Sequence, residues 1–507
     1  MRDDSTALPV SAVNSPWSNG IHERLPGRPD PASVVMSGTT SSNGQPWSGI
    51  LRVSIVLFTS DLRVHDHLPL RAALTSADAV VPLFVRDTAI TASGFAAPNR
   101  EAFLADCLTD LDAALRRRGG RLVVRSGDFA DEVARVAAET DAAEVHVAGG
   151  VSAYAQRREE RLRHVLEAAG RRLSVHDAVV TAVAPGAVTP TSSDHFAVFT
   201  PYFRRWSGER LRDILAAPRA LRVPDSVASE DVPSRAQVRG PSPGLAAGGE
   251  STGRDRLAGW LRHGVSAYEE RHDDLPGEGT SRLSPHLHFG TLSPVELVHR
   301  ARRAGGAGSE AFVRQLAWRD FHHQVLAARP AAAAHDYRTR DDHWRSERAA
   351  ACDIEAWREG RTGYPVIDAA MRQLRNEGWM HNRGRLLTAS FLTKTLYVDW
   401  RVGAQHFLEL LVDGDVANNQ LNWQWMAGTG TDSRPNRVLN PVTQAKRYDP
   451  DGTYVRRWIP ELAGLAGSSV HEPWKLPRLE RETYDYPDPI VALREGLDRF
   501  RRARGLD

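Results

Sequence analysis

Five short apolar runs, SIVLF, VVPLFV, RLVVR, EVHVAG and LSVHDAV, follow one another between Ser54 and Val179, with segments of helical spacing between them at 68–75, 100–118, 129–140 and 153–169. Regular alternation of strand and helix leaves few architectures open, because each strand needs cover on both faces. A parallel sheet with helices on either side satisfies that need. Ligands in such domains sit beyond the carboxyl ends of the strands. The first strand runs into FTSDLRVHDH and not into Gly-x-Gly-x-x-Gly, so a typical dinucleotide site is not expected there.

At 507 residues the chain exceeds one comfortable hydrophobic core, and at least two domains are expected. Residues 1–51, rich in Ser, Gly, Pro and Asn and without periodicity, are expected to be a disordered extension. The α/β domain spans 52–180. Periodicity fades after Thr181, and 218–251 is dense in Pro, Ser, Gly and Ala, so 181–253 is expected to link two domains. Beyond it strand signals nearly vanish and helical spacing recurs at 254–263, 294–303, 309–328, 365–377, 383–396, 404–412 and 490–504. The expected fold is therefore an α/β N-terminal domain with a parallel, Rossmann-like sheet, followed by an all-α domain over 254–507.

Two cysteines, Cys107 and Cys352, are too few for a disulfide framework, a four-cysteine zinc site or an iron–sulfur cluster, and no metal site is expected. No apolar run is long enough to span a bilayer, and MRDDSTALPV lacks the order of a signal peptide; cytoplasmic residence is expected. The formal net charge is only +2, so binding to nucleic acid would need a local basic patch.

Within the helical half, DGDVANNQLNWQWMAGTGTD (413–432) crowds asparagines, aspartates and two tryptophans into one short stretch. Asn and Asp are poor helix formers and Trp is costly to leave wet, so a turn-rich pocket lining is expected there, with capping and core packing as the plainer alternative. GTSRLSPHLHFGTLSP (279–294) offers hydroxyls, N–H groups and Arg282 to a phosphate, or equally a capped helix start. Arg383 and Arg385 stand two apart on one helix and point to different faces, one available to a phosphate backbone and one to a carboxylate, or both to solvent. Tryptophans cluster late, at Trp344, Trp357, Trp379, Trp400, Trp423, Trp425 and Trp458, and periodicity cannot separate core packing from base stacking or electron hopping.

Taken together, GTSRLSPHLHFGTLSP, LAWRDF, EGRTGYPVIDAAMRQLRNEGWMHNRGR, DGDVANNQLNWQWMAGTGTD and NPVTQAKRYDPDGTYVRRWIPEL resemble the photolyase/cryptochrome flavoprotein family, most closely its bacterial cyclobutane pyrimidine dimer photolyases. The resemblance covers nearly all of 54–474. It implies FAD, reduced and anionic in the active state, with Tyr268, Thr280, Ser281, Arg282, Leu283 and Ser284 around its phosphates and Arg319 as a further contact. It implies that Arg385 and Asp413, with Gly414 and Asp415, flank the isoalloxazine, and that Asn419 lies beside the ring nitrogen that changes protonation. The implied reaction is light-driven electron transfer from FAD to a pyrimidine dimer flipped out of UV-damaged DNA, which splits it to monomers. Trp318 and Trp425 resemble the walls on which the dimer stacks; Asn382, Arg383, Gln444, His272 and Gln315 match DNA- or lesion-contacting positions, Asn382 and Gln315 also catalytic ones. Trp423, Trp400 and Trp344 resemble an electron relay from the surface. A monomer is implied, and the antenna position is open to a folate, a deazaflavin or no chromophore.

Three departures stand out. Gln315 replaces the glutamate usual in cyclobutane-dimer enzymes and resembles six-four photolyases, but HNRGR (381–385) lacks the second histidine of those enzymes. His272 stands where an arginine is common, and Ser60 where an arginine is usual beside the antenna. A six-four photolyase and a cryptochrome-like blue-light sensor without repair are the alternative readings; the short chain after 504 favours repair, because sensors often signal through a disordered tail.

Overall fold

The computed structural model describes residues 51–277 and 279–506, so the extension expected at the amino terminus lies outside the described residues but for Leu51. The five apolar runs form strands β1 (Val53–Leu57), β2 (Ala79–Asp87), β3 (Val123–Gly127), β4 (Glu144–Ala148) and β5 (Arg172–His176). They make one parallel sheet in the order β3-β2-β1-β4-β5, with Ile55 paired to Val81 on one side and Val145 on the other. Alternate residues of β1 feed different cores: Val53, Ile55 and Leu57 pack with Val133 and Val136, while Val56 packs with Phe103, Leu108 and Leu111. That two-sided burial is why the strands read as unbroken apolar runs. The covering helices Leu68–Ser76, Pro98–Arg116, Phe129–Glu139 and Ala153–Ala168 fall within a few residues of the expected spans.

Beyond β5 every regular element among the described residues is a helix, with irregular chain over 209–234 and 238–249. Helices Gly306–Ala328, Asn382–Ser390, Trp400–Leu410 and Val416–Ala427 carry most of the candidate site. The stretch expected to be turn-rich is a helix over Val416–Ala427. Asp415 caps it by accepting from Asn418 N, and Gly428 ends it in the left-handed conformation at φ +84°. Asp415 and Asn418 therefore sit where capping supplies what propensity withholds, while Asn419 and Asn422 lie within the helix. The 404–412 span begins earlier, at Trp400, because the Asp399 side chain caps that start. Helix Phe199–Gly208, inside the expected linker, was not foreseen. Its Pro201 lies in the first turn, where proline is tolerated, and its Phe199, Tyr202 and Trp206 are buried in a core shared with Phe312 and Phe321.

The loop after β1 is fastened into the helical half. Arg63 is 1% exposed, and its Nη1 donates to Gly290 O at 2.7 Å while Nη2 reaches Asp66 O at 3.2 Å and Val179 O at 3.4 Å. Leu62 N donates to Phe289 O at 3.1 Å, and Val64 N and His65 N donate to the two oxygens of Glu250 at 2.7 and 3.1 Å. Asp66 is paired with Arg212 and accepts from Ser293 Oγ. Gly290 has φ +64°, and a Cβ there would lie 1.8 Å from Ser60 O. Only glycine fits at that approach. Burial pushes the Arg63 guanidinium down, and the carboxylates of Asp61, Asp66 and Glu250 offset part of that cost.

Removing one partner of a buried charge network typically costs about 3–5 kcal/mol, because the remaining charges stay buried. Arg63→Ala is therefore expected to lower unfolding stability by that amount in urea titrations. The Arg361 side chain, by contrast, is 63% exposed. Arg361→Ala is expected to change stability by less than about 0.5 kcal/mol.

Candidate active site

Helix Val416–Ala427 joins two kinds of chemistry. At its start, Asp413 is buried and paired with Arg385 Nη2 at 2.8 Å, while Arg385 Nε donates to Met380 O at 2.9 Å. Asp415 accepts from Asn418 N and Asn418 Nδ2, both at 2.7 Å, and lies 3.3 Å from His323 Nε2. Burial pushes Asp415 up, but His323, Arg319 and His288 outweigh it and hold the carboxyl well below its usual range. An ionised Asp415 accepts only, so Asn418 must turn its NH2 toward it and its Oδ1 toward His322. His322 Nδ1, 3.0 Å from that oxygen, is therefore the protonated nitrogen. Burial pushes the His322 ring down to about 4, so at neutral pH it is uncharged and Nε2 is a bare acceptor. That Nε2 is buried and has no hydrogen-bond partner among the described residues. Asn419, one residue on, gives its Nδ2 to Ala404 O at 3.0 Å and Gln420 Oε1 at 2.9 Å, which leaves Oδ1 to accept from a ligand N–H.

Near the other end of the same helix, Trp425 stacks on Trp318 with centroids 5.3 Å apart and planes 19° from parallel. Phe199 covers the opposite face of Trp318 at 3.7 Å and 6°. Both faces of Trp318 are thus occupied, and the half-buried Trp425 is the outer plate of a three-ring stack. Sequence reading missed Phe199, whose helix lay in the segment of faded periodicity. Gln315, one turn before Trp318, and Asn382, at the first turn of its helix, are exposed. Three other predicted DNA contacts gather separately around Asp273 and Tyr448. Arg383 pairs with Asp273 and its guanidinium lies 4.4 Å over the Tyr448 ring; His272 Nε2 is 3.8 Å from Asp273; Gln444 shares the Pro441–Tyr448 helix. Both arginines of the 382–390 helix thus meet carboxylates, Arg383 a partly exposed one at Asp273 and Arg385 a buried one at Asp413.

A third group surrounds Thr280. Thr280, Arg282, Gln373, Trp379 and His381 line one narrow cavity. His381 Nδ1 accepts from Arg383 N at 3.1 Å, and burial pushes the ring down to about 4, so the neutral ring carries its proton on Nε2. That Nε2–H is buried and has no hydrogen-bond partner among the described residues. Arg282, at φ +52°, reaches Glu377 at 3.2 Å and lies 4.4 Å over Trp379, whose Nε1 donates to Ser284 Oγ at 3.2 Å. Ser281 Oγ accepts from Leu283 N at 3.4 Å, and the Leu283 side chain enters the core, so only its backbone is open to a ligand. Tyr268 packs edge-on against Trp260 and Phe312. Arg319 is committed to Val180 O at 2.6 Å and Leu287 O at 3.2 Å. Trp379, Gln373 and His381 were not singled out as site residues, because no spacing rule brings 373–381 beside 280. A larger depression, about 590 Å³, lies among Tyr364, Lys446, Glu472 and Trp474 and includes none of the predicted residues.

The tryptophans of the expected relay differ in depth. Trp400 and Trp423 are buried at 0% and 2% exposure, and Trp344 is half-buried against Tyr397 at 4.8 Å. Trp423 touches Phe407 at 4.9 Å and Trp357 at 6.0 Å, and a Cβ on Gly403 would lie 2.2 Å from its ring. Donors at His381, Thr280 and Arg282, an acceptor at Asn419 and the Arg385–Asp413 pair together fit a cofactor that joins phosphate to a heteroaromatic ring bearing N–H groups.

The chain matches the model of DNA photolyase over residues 54–222 and that of the FAD binding domain of DNA photolyase over 312–504. It is 66% identical over 458 residues to the deoxyribodipyrimidine photo-lyase of Streptomyces griseus, covering 90% of this chain and 100% of that one. Among solved structures, a bacterial class III photolyase from Agrobacterium tumefaciens superposes with a TM-score of 0.84 at 31% identity, covering 90% of this chain and 98% of its own. A cryptochrome from Synechocystis superposes with the same TM-score, 0.84, at 30% identity, covering 90% of this chain and 100% of its own.

His286, His322 and His381 are buried and each is pushed by burial from 6.5 down to about 4. Folding stability from these rings is present above pH 6.5 and is lost as pH falls toward 4, because the unfolded chain takes up protons that the folded one refuses. Each ring contributes up to about 1.4 kcal/mol per pH unit in that window. His322→Gln is expected to reduce the pH dependence of urea-induced unfolding between pH 6.5 and about 4 by roughly one proton.

Proposed function

The chain belongs to the DNA photolyase family, and we propose that it is a light-driven deoxyribodipyrimidine photo-lyase that splits cyclobutane pyrimidine dimers in UV-damaged DNA. The reaction breaks two carbon–carbon bonds with no net oxidation, since the electron that opens the dimer returns. Bound FAD, reduced and excited by blue light, supplies that electron.

The protein positions, excludes water and sets charge. Thr280, Ser281, Arg282, the Leu283 backbone, Ser284 and Tyr268 would hold the phosphate end of the cofactor, with the His381 N–H as a further donor; Arg319 braces the neighbouring backbone. Arg385, already balanced by Asp413, would favour an anionic reduced ring, Gly414 and Asp415 complete that edge, and Asn419 Oδ1 would accept a ring N–H. Trp425, backed by Trp318 and Phe199, gives a flipped base a stacking surface, with Gln315 and Asn382 at its exposed edge. His272, Arg383 and Gln444 would follow the DNA backbone.

One observation carries this reading: the carboxylates at 413–415 lead directly into the helix that carries Trp425, the outer ring of the Trp318–Trp425 stack. Asn419 and Trp425 are six residues apart, about 9 Å along the axis, so cofactor and lesion meet at short range. The relay reading assigns re-reduction to Trp423, Trp400 and Trp344. If an antenna is bound, a folate or deazaflavin would take the carboxyl ends of the strands, where Asp87 holds Tyr154 and Arg158 lies over Phe129 and Tyr154. The reading takes the molecule as a cytoplasmic monomer divided at 52–180, 181–253 and 254–507; no described helix is long and apolar enough to cross a membrane. High identity to a deoxyribodipyrimidine photo-lyase favours this reading over six-four repair and over light sensing without repair.

Under blue light, holoenzyme is expected to repair defined cyclobutane dimers and not six-four lesions, and repair of neither would overturn the proposal. Loss of one stacking ring costs about 1–3 kcal/mol, so Trp425→Ala is expected to raise the Kd for lesion DNA in the dark by roughly 5- to 150-fold. Gln315→Glu is expected to keep the cyclobutane preference. Trp423→Phe is expected to slow photoreduction of oxidised FAD at least tenfold while repair by chemically reduced enzyme survives; joint loss would mark Trp423 as structural.

A further inference from the structure

Trp400 is fully buried, yet its indole nitrogen faces an ionisable group. Its Nε1 donates to Asp336 Oδ1 at 2.8 Å, and the Asp336 side chain keeps 18% of its surface in solvent. Arg401 Nη2 donates to the same oxygen at 3.0 Å, and its guanidinium lies 4.8 Å over the Trp400 ring. Arg401 is itself tied to Asp399 at 2.9 Å and to Ala334 O at 2.7 Å, which holds the cation in place. The contrast with Trp357 is chemical: that Nε1 donates to the Thr388 carbonyl at 3.1 Å, which accepts a hydrogen bond but not a proton.

We propose that Asp336 is the proton acceptor of Trp400 during photoreduction, so that the oxidised relay comes to rest as a neutral Trp400 radical inside the protein. The inference builds on the relay reading, in which Trp423 gives one electron to photoexcited oxidised flavin and Trp400 refills Trp423. Loss of that electron leaves a radical cation on Trp400, and an oxidised indole N–H is far more acidic than a neutral one. The Nε1–H bond breaks and an O–H bond forms on Asp336 across 2.8 Å. That separation suits direct proton transfer. Asp336 then releases the proton through its exposed edge. A deprotonated Trp400 cannot easily hand the hole back to Trp423.

The test uses the full-length holoenzyme with oxidised FAD and transient absorption after a laser flash. Trp344→Phe is expected to form the neutral tryptophan radical, more slowly in D2O than in H2O. In Trp344→Phe/Asp336→Asn the amide keeps the hydrogen bond but takes no proton, and formation of the neutral radical is expected to fall at least tenfold as charge recombination takes over. Asp336→Glu in the same background is expected to restore it. Neutral radical at an unchanged rate with Asp336→Asn, or only a cation radical with Trp344→Phe, would overturn the proposal. Full photoreduction in Trp423→Phe would instead overturn the relay reading beneath it.

Discussion

A fully buried arginine in the loop after β1 sets the frame for everything that follows. Arg63 can stay charged in the interior only because Asp61, Asp66 and Glu250 surround it and three carbonyls take its N–H groups. One of those carbonyls, Val179 O, is adjacent to Val180 O, which accepts from Arg319. The sheet is thereby connected, through two arginines and two successive carbonyls, to the helix that carries Trp318. Such a network contributes less to net stability than to uniqueness of geometry, since each polar atom has few alternative partners.

The same logic of forced polarity recurs inside the site. An ionised Asp415 dictates the orientation of Asn418, which dictates the tautomer of His322 and leaves an acceptor on its far side. His381 is driven the opposite way, because a backbone N–H claims its Nδ1 and leaves a donor beside Thr280. Two buried neutral histidines thus present opposite hydrogen-bonding faces. The difference arises from one neighbouring group each, and neither needs a charge. Tryptophan follows a related rule: Trp423 lies against Gly403, where a side chain would collide, whereas Trp400 lies against an ion pair. Packing secures the first indole and electrostatics shapes the second.

Much of this architecture was legible from spacing. The strands of the sheet appear as apolar runs because both faces of each are covered, and the helix near 365–377 shows its helical repeat plainly. The 413–432 stretch was legible as unusual and misjudged as turn-rich, because helix propensity undervalues a chain that is well capped at both ends. Helix Phe199–Gly208 went unseen although Phe199, Tyr202, Phe203 and Trp206 keep helical spacing, since the periodicity fades after Thr181 and the stretch reads as a connector.

The sequence by itself determined the order of elements, the family and the identities of the groups that meet: the carboxylates at 413–415, the late tryptophans, the hydroxyls at 280–284. Those follow from local pattern, because capping, periodicity and residue chemistry act within a few positions of the chain. Tertiary structure alone decided which atoms of those groups remain available. Whether Arg383 meets Asp273, whether Phe199 covers Trp318 and whether Trp400 points its N–H at Asp336 depend on residues tens to more than a hundred positions apart. Hydrogen-bond capacity is spent in three dimensions, and no rule of spacing along the chain records where it goes.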